Sequence, residues 1–444
     1  MSTTNIQSAP VNSRSRVIIA SLVGTSIEFY DFYVYATAAV LIFPTLFFPN
    51  QDATTALLSS FAVFGVAFIA RPVGSIVFGH FGDRVGRKGT LVVTLLTMGI
   101  ATFLIGCLPS ANTPGWQFWA PFLLVLLRFS QGFGLGGEWS GAALLATENA
   151  PENKRTIYGT FPQLGAPIGF ISANLLFILL NATLSTEAFF AWGWRIPFLM
   201  SMLLAVVGVY IRLTLVETPA FQQVQETKSV ARMPIARVFV TSWRQVVLGT
   251  FIMLATYVLF YIMTVFVFSY GTTTTDAELP GLGYSRNDFL WILVIGEVFF
   301  GIFIFLAGPI AERNRRKKLL IWTTVGIFAY GFLFVPLLAG GFVGVLTFYI
   351  VGYILMGLTY GPMGSELPEL FPANVRYTGS AISYNMGSIL GAAVAPVITI
   401  ELWRYANGSL ILVGFYLSAA ALITIIALLL SDKMKKVDYA SNVS

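Results

Sequence analysis

Twelve apolar runs follow one another along this chain, and no other feature constrains its fold so tightly. Their approximate limits are 17–48, 57–81, 90–108, 117–143, 158–182, 189–215, 245–270, 288–310, 318–340, 342–368, 377–400 and 405–430. A helix crossing a hydrocarbon core of roughly 30 Å needs about 20 apolar residues, so twelve crossings take about 240. The 444 residues supply these with loops to spare. Only 10% of the residues are charged, against about 25% in soluble domains. The charged skin of a soluble enzyme is therefore missing, and the 56% apolar content excludes a disordered chain. A spanning β-barrel would alternate polar and apolar residues over short segments, which these runs do not. The fold class expected is an all-α membrane protein of twelve transmembrane helices.

The net charge of +6 does not point to nucleic acid, because the basic residues sit in short loops between apolar runs. With the N-terminus in the cytoplasm, 21 of the 26 Lys and Arg residues fall inside. Arg195, Arg286 and Arg404 fall outside, and Arg71 and Arg128 lie within spans. That bias sets the orientation, and an even number of spans puts both termini in the cytoplasm. One cysteine, Cys107, allows neither an internal disulfide nor a thiolate cluster. One histidine, His80, allows no histidine-built metal site or triad. Neither a metal nor an organic cofactor is expected. The polar residues 1–16 and the long first run argue against a cleavable signal peptide.

The expected organisation is a cytoplasmic tail (1–16), a six-helix bundle (17–216), a polar cytoplasmic linker (217–244) with Pro219 and Pro234, a second six-helix bundle (245–430) and a cytoplasmic tail (431–444). The two bundles carry a repeat. Gly79, Asp83, Arg84, Arg87 and Lys88 match Gly308, Glu312, Arg313, Arg316 and Lys317 at an offset of 229. Glu148, Pro151 and Arg155 match Glu369, Pro372 and Arg376 at an offset of 221. Two matches in corresponding loops point to duplication, and many secondary transporters are built from repeats around a midplane site.

The loop Gly79-His80-Phe81-Gly82-Asp83-Arg84-Val85-Gly86-Arg87-Lys88 resembles the signature loop of the major facilitator superfamily. Arg128-Phe129-Ser130-Gln131-Gly132-Phe133-Gly134-Leu135-Gly136-Gly137 resembles its fourth-helix motif. Within the superfamily, the chain is similar to the bacterial metabolite:proton symporters. The stretches that carry this likeness are Glu28-Phe29-Tyr30-Asp31-Phe32, Gly137-Glu138-Trp139, Trp192-Gly193-Trp194-Arg195-Ile196-Pro197-Phe198 and Glu217-Thr218-Pro219. The likeness runs from about residue 17 to 430 and looks closest to inner-membrane metabolite transport proteins of unassigned substrate. It implies two pseudo-symmetric six-helix bundles, a bacterial inner-membrane location and a monomer. Members of that family carry 2-oxoglutarate, citrate, shikimate, or proline and betaine. Two departures stand out in the second-half loop: Glu312 replaces the usual Asp, and Arg315 sits where Gly is common. The short tail after 430 has no heptads, which argues against an osmosensor.

Charges inside spans are costly and mark function. Glu28 and Asp31, three residues apart, share a helical face. At 1.5 Å per residue they lie about 16 and 21 Å above the inner membrane face. Arg71 comes out about 15 Å above that face and Arg128 about 16 Å below the outer one, so all four lie near the midplane. Mutual neutralisation is expected, since an unpaired buried charge costs several kcal/mol. An arginine keeps its charge, whereas a carboxyl can take up a proton. Moving an arginine from an acid to an anionic substrate therefore couples the proton to the substrate. Asp31, the deeper acid, is the expected proton carrier. Arg128 is its expected partner, and Arg71 the clamp for a substrate carboxylate. The plain alternative is a static salt bridge. Glu28 is a second candidate acid. Glu297, alone in the eighth span, is either a further proton site or a hydrogen-bond acceptor between the bundles. Tyr30, Gln163, Tyr257, Tyr261, Tyr384 and Asn385, with Arg128, are candidate substrate ligands, although single polar residues in spans often only bond a neighbouring helix.

Asp83 and Arg87 lie near helix ends, where charge pairs can lock the cytoplasmic side. Gly79, Arg84, Glu138, Glu148 and Arg155, with Glu312, Arg316, Glu369 and Arg376 from the repeat, complete the expected cytoplasmic gate. The glycines of 132–137 lead to no P-loop ending, so ATP-driven transport is excluded for this chain. The function expected is proton-coupled symport of a small organic acid across the bacterial inner membrane. The alternatives are a facilitative uniporter or exchanger, and a carrier for a zwitterion such as betaine or proline.

Overall fold

The computed structural model of the chain describes residues 13–218, 221–222, 234–276 and 279–441. Most of the expected N-terminal tail, the middle of the linker with Lys228 and Arg232, and the last three residues lie outside the described residues. The described chain is all-helical. Its long helices are α1 (Arg14–Leu41), α2 (Ala53–Arg84), α3 (Arg87–Cys107), α4 (Trp119–Glu148), α5 (Arg155–Thr183), α6 (Thr186–Leu213), α7 (Trp243–Thr272), α8 (Arg286–Asn314), α9 (Arg316–Gly331), α10 (Gly341–Glu366), α11 (Arg376–Tyr405) and α12 (Ile411–Ser441). Ten of these are long and apolar enough to cross a membrane. The other two are α4 and α9. The first carries Arg128, Glu138 and Glu148 within its 30 residues. The second has 16 residues and is continued by a separate turn, Phe334–Leu338.

Glycines set how closely the helices approach. On α4, Gly132 packs on Ala67 of α2 and Gly136 on the Arg71 carbonyl, while Gly74 of α2 packs on the Phe133 carbonyl of α4. A Cβ at any of these would overlap backbone, so the crossing is backbone to backbone, as in small-residue membrane interfaces. That contact holds Arg71 rigidly beside α4.

Three helices are broken by a wider turn, at Phe189–Gly193 in α6, Ile262–Phe266 in α7 and Ile389–Ala393 in α11. Such single-turn π-bulges free backbone groups and re-aim the side chains beside them. Tyr257 and Tyr261 sit one turn apart just before the break in α7, and Tyr384 and Ser388 just before that in α11.

The repeat is visible in the backbone. α2 turns into α3 at Gly86 with φ +134°, and α8 turns into α9 at Arg315 with φ +63°. Positions 86 and 315 are related by the same offset of 229, so the two loops take the same kind of step. The arginine does so in a region where L side chains are strained. Arg315→Gly should therefore stabilise the protein by about 1 kcal/mol. A rise in the thermal unfolding midpoint of the detergent-purified protein checks this, and a fall would show that the side chain itself contributes.

Candidate functional site

A cavity of about 470 Å³, its mouth included, lies between α1, α2 and α5 of the first half and α7, α8, α10 and α11 of the second. Its walls are aromatic. Phe29 and Tyr33, one turn apart on α1, face Phe260, Tyr257 and Tyr261 of α7, Phe300 of α8, and Tyr360 and Tyr384 of α10 and α11. Arg71 is the charged residue of this lining. It is buried at 5% exposure. Its Nη1 donates to Ser388 Oγ at 3.2 Å, across the two halves. The guanidinium stands 5.5 and 5.6 Å from the ring centres of Phe32 and Phe68. Its Nε has no hydrogen-bond partner, and among the described residues no carboxylate reaches it within salt-bridge distance.

Behind this wall lie the acids. Glu28 is fully buried and neither carboxylate oxygen accepts a hydrogen bond. It is within electrostatic reach of Arg71, Arg212, Glu138 and Asp31. Glu138 of α4 is joined directly to Arg212 of α6 in a buried ion pair, and also accepts from Thr94 Oγ1 at 2.6 Å. Arg212 additionally donates to the Leu91 carbonyl at 2.5 Å. Its guanidinium passes over Gly24 of α1, where a side chain would collide with it. Glu28 is one turn along the same face.

Asp31 and Arg128 do not form the direct pair that their depth suggests. Arg128 Nη1 donates to Gln131 Oε1, and its guanidinium lies 3.9 Å from the ring centre of Tyr35 and 4.8 Å from that of Phe64. Gln131 Nε2 donates to Thr102 Oγ1 at 2.8 Å and to the Asp31 carbonyl at 3.2 Å. Thr102 Oγ1 in turn donates to Asp31 Oδ2 at 3.1 Å. The charges are thus linked through two neutral side chains, both away from the cavity wall. Glu297 is buried, facing the Tyr353 and Tyr33 side chains.

Of the candidate substrate ligands, Arg71, Tyr257, Tyr261 and Tyr384 line the cavity. The others are outside the lining and make their hydrogen bonds elsewhere, with Arg128 Nη2 and Asn385 Oδ1 left without a partner. Tyr30 Oη donates to the Pro197 carbonyl at 2.9 Å. Gln163 Nε2 donates to the Tyr360 carbonyl at 2.7 Å, while its Oε1 accepts from Trp139 Nε1 at 2.6 Å. Asn385 Nδ2 donates to the Gly136 carbonyl at 2.9 Å. Gln163 and Asn385 therefore bind the two halves to each other.

The end of the molecule that carries the basic loops is latched by the repeated motifs. Asp83, at the end of α2, accepts from the Tyr377 and Thr378 amides at 3.1 and 2.8 Å and from Thr378 Oγ1 at 2.8 Å, capping the N-terminus of α11. Glu312, near the end of α8, accepts from the Thr156 amide at 2.6 Å, capping α5. Gly79 packs on the Thr378 Cα, and Gly308 on that of Ile157. These pairs follow the offsets of 229 and 221, so each half closes on the other by the same contact. Arg87 reaches Glu148 at 3.5 Å, the Ala373 carbonyl at 3.3 Å and Asp83 at 3.8 Å. Arg376 reaches Glu148 at 3.6 Å from the other half. Arg316 binds Glu366 and Glu369 at 2.6 and 2.5 Å, within the second half. Arg84 and Arg155 are exposed at this end. Glu138, by contrast, lies in the buried pair rather than in the latch.

The sequence profile of the sugar (and other) transporter family matches residues 16–246. The inner membrane metabolite transport protein YhjE of Escherichia coli is 54% identical over 428 residues, with 96% of each chain covered. The chain belongs to the major facilitator superfamily of metabolite transporters. The shikimate transporter of Escherichia coli is 35% identical, over 95% of each chain. In fold, the chain is similar to the proton:xylose symporter XylE, with a TM-score of 0.75, 18% identity and 95% of each chain covered. It is thus a multi-pass transporter of the bacterial inner membrane and not an enzyme.

Two residues that build these buried networks, Arg212 and Gln131, are concealed by the apolar runs. Arg212 lies in the last turn of α6. Only the small residue Gly24 opposite hints at it. Gln131 stands three residues after Arg128, a spacing that puts both on one helical face. Removing one partner of a buried ion pair costs about 3–5 kcal/mol, so Glu138→Ala should strongly lower the thermal unfolding midpoint; an unchanged midpoint would contradict the pair. For the latch, Asp83→Ala on a Cys107→Ser background should raise maleimide labelling of Ser380→Cys in α11 several-fold. Unchanged labelling would mean that Asp83 does not hold that end shut.

Proposed function

We propose that the chain is a proton-coupled symporter of a small organic acid, working by alternating access as a monomer. The observation that carries this is Arg71. A buried guanidinium lines the cavity without a bonded carboxylate, and an acid free of hydrogen bonds, Glu28, lies behind it within electrostatic reach. Twelve spanning segments in two bundles, with both termini and the basic end in the cytoplasm, agree with the Lys and Arg distribution. The latched basic end is then the cytoplasmic gate, and the conformation is one closed to the cytoplasm. One copy completes the cavity and both latches, which supports a monomer.

Coupling follows from charge. Arg71 keeps its charge in every state. While Glu28 is ionised, its field holds the guanidinium. When Glu28 takes a proton, the guanidinium is left without a counter-charge in an apolar wall and takes the substrate carboxylate instead. Proton and substrate therefore favour each other's binding, and reciprocity requires the effect to be equal in both directions. The loaded cavity is neutralised. The cytoplasmic latch can then open, with the caps on α11 and α5 released together. This assigns the proton to Glu28 in preference to Asp31, whose carboxylate is hydrogen-bonded and lies away from the cavity. Glu297, buried in the second half, is kept as a further proton site.

Liposomes holding the purified protein test the proposal. An inward proton gradient should drive accumulation of a small carboxylate by the wild type. Glu28→Gln should lose accumulation yet retain counterflow exchange. Arg71→Gln should lose both. Equilibration without accumulation in the wild type would contradict symport and leave a facilitative carrier.

A further inference from the structure

Between the two bundles lies a short helix that crosses nothing. Pro234–Thr241 has eight residues, about 12 Å at 1.5 Å per residue and far short of a bilayer core. One side of it is anchored. Val238 is fully buried in a cluster with Val246 of α7 and Phe371, Val375 and Ile382 of the second half, and Ile76 of α2 packs against that cluster. Ile76 comes five residues before Phe81, where the apolar run of α2 ends, which places it about 8 Å inside the membrane boundary. The anchor therefore holds the linker helix at the depth where headgroups meet acyl chains. Its other side is open. Val240 is 76% exposed, and Phe239 and Trp243, the first residue of α7, are each 51% exposed. Arg237 and Arg244 are exposed in the same stretch. The Arg244 guanidinium stands 5.5 Å from the Trp243 ring centre. Among the described residues, no carboxylate lies within salt-bridge distance of either arginine.

We propose that this stretch binds anionic phospholipid of the leaflet beside the basic loops, with Phe239, Val240 and Trp243 among the acyl chains and Arg237 and Arg244 on the headgroups. Nothing in this depends on what the cavity carries or on a coupled proton. Three large apolar side chains grouped on one short helix are poorly covered by water, and tryptophan favours the membrane boundary. Arginine lays its stem along apolar surface and keeps its head at the polar edge, where the guanidinium fork matches a phosphate. Anionic lipid is favoured over zwitterionic lipid because its phosphate brings no cation of its own to face the arginines. The apolar surface also runs on without a break into the lipid-facing side of α7, where Val247 is exposed one turn after Trp243. That continuity, with the charge, selects lipid over a protein partner. The site bears on the latch as well. Val238 is packed against α2 and α11, the two elements that Asp83 joins. A lipid that fixes the linker helix holds Val238 in place and keeps that end shut.

The test uses the full chain with Cys107→Ser and Val240→Cys, carrying an NBD fluorophore at position 240, in phosphatidylcholine nanodiscs. The discs hold the same small fraction of a lipid spin-labelled on its acyl chain, with either a phosphatidylglycerol or a phosphatidylcholine headgroup. Both probes should quench, since position 240 lies among acyl chains. The phosphatidylglycerol probe should be at least about 5-fold more effective, the factor that one arginine near an anionic surface contributes. Added salt should shrink that preference. Arg237→Gln with Arg244→Gln should abolish it and leave quenching by the phosphatidylcholine probe unchanged, while Arg237→Lys with Arg244→Lys should retain most of it. For the latch, maleimide labelling of Ser380→Cys on the Cys107→Ser background should be several-fold slower in phosphatidylglycerol nanodiscs than in phosphatidylcholine ones, and the double Arg→Gln variant should lose that difference. Quenching by neither probe overturns the site, whether position 240 is bare to water or covered by a second copy or another protein. So does equal quenching by both headgroups, or a preference that the double Arg→Gln variant leaves intact. Labelling at position 380 that ignores the headgroup overturns the hold on the latch.

Discussion

Arg71 carries a full charge into the wall of an aromatic cavity with no carboxylate bonded to it, and much of the structure answers that cost. Its backbone is fixed by the glycine crossing with α4. Its guanidinium is shared between aromatic faces and Ser388 of the other half. Cation–π contacts and one hydroxyl compensate only part of the lost hydration. In the proposed cycle the remainder falls to Glu28 when the cavity is empty and to the substrate when it is filled. The one arginine then serves, in that proposal, as a ligand and a counter-ion as well as a tie between the halves.

The other buried charges are arranged so that they do not compete. Glu138 and Arg212 neutralise each other directly and bind α4, α3 and α6 together beneath α1. Arg128 is enclosed by Tyr35, Phe64 and Gln131. Transport requires that one set of contacts break without the bundles themselves loosening. The halves are joined through Asp83, Glu312, Gln163 and Asn385, mostly by hydrogen bonds to backbone, and by the Arg376–Glu148 ion pair. The Glu138–Arg212 pair lies wholly within the first half. The two latches are also unequal: Asp83 gathers three donors, while Glu312 takes the Thr156 amide.

Much of the fold was legible because the bilayer imposes a length on every apolar run, and because the basic loops repeat at fixed offsets. The departures come where another force sets the helix. α4 is polar enough to need its neighbours, and α9 is short and resumes after a break. The charged candidates were legible for the same reason: Glu28, Asp31, Arg71 and Arg128 are expensive in a span. Their partners were not legible. Neighbouring residues on a helix point about 100° apart, so Glu28 faces the interior of the first half while Phe29 faces the cavity. Nothing in the sequence says which side the partner helix lies on. The same limit put Gln163 and Asn385 among candidate ligands, where packing uses them as ties between halves. Arg212 was hidden at the end of an apolar run.

The measurement that bears most directly on this account is the number of protons taken up when substrate binds. It is obtained by calorimetry on the purified protein in buffers of different ionisation enthalpy. Coupling through Glu28 and Arg71 predicts an uptake of about one proton per substrate bound by the wild type, and none by Glu28→Gln. Binding without proton uptake in the wild type, or the same uptake in Glu28→Gln, would contradict it.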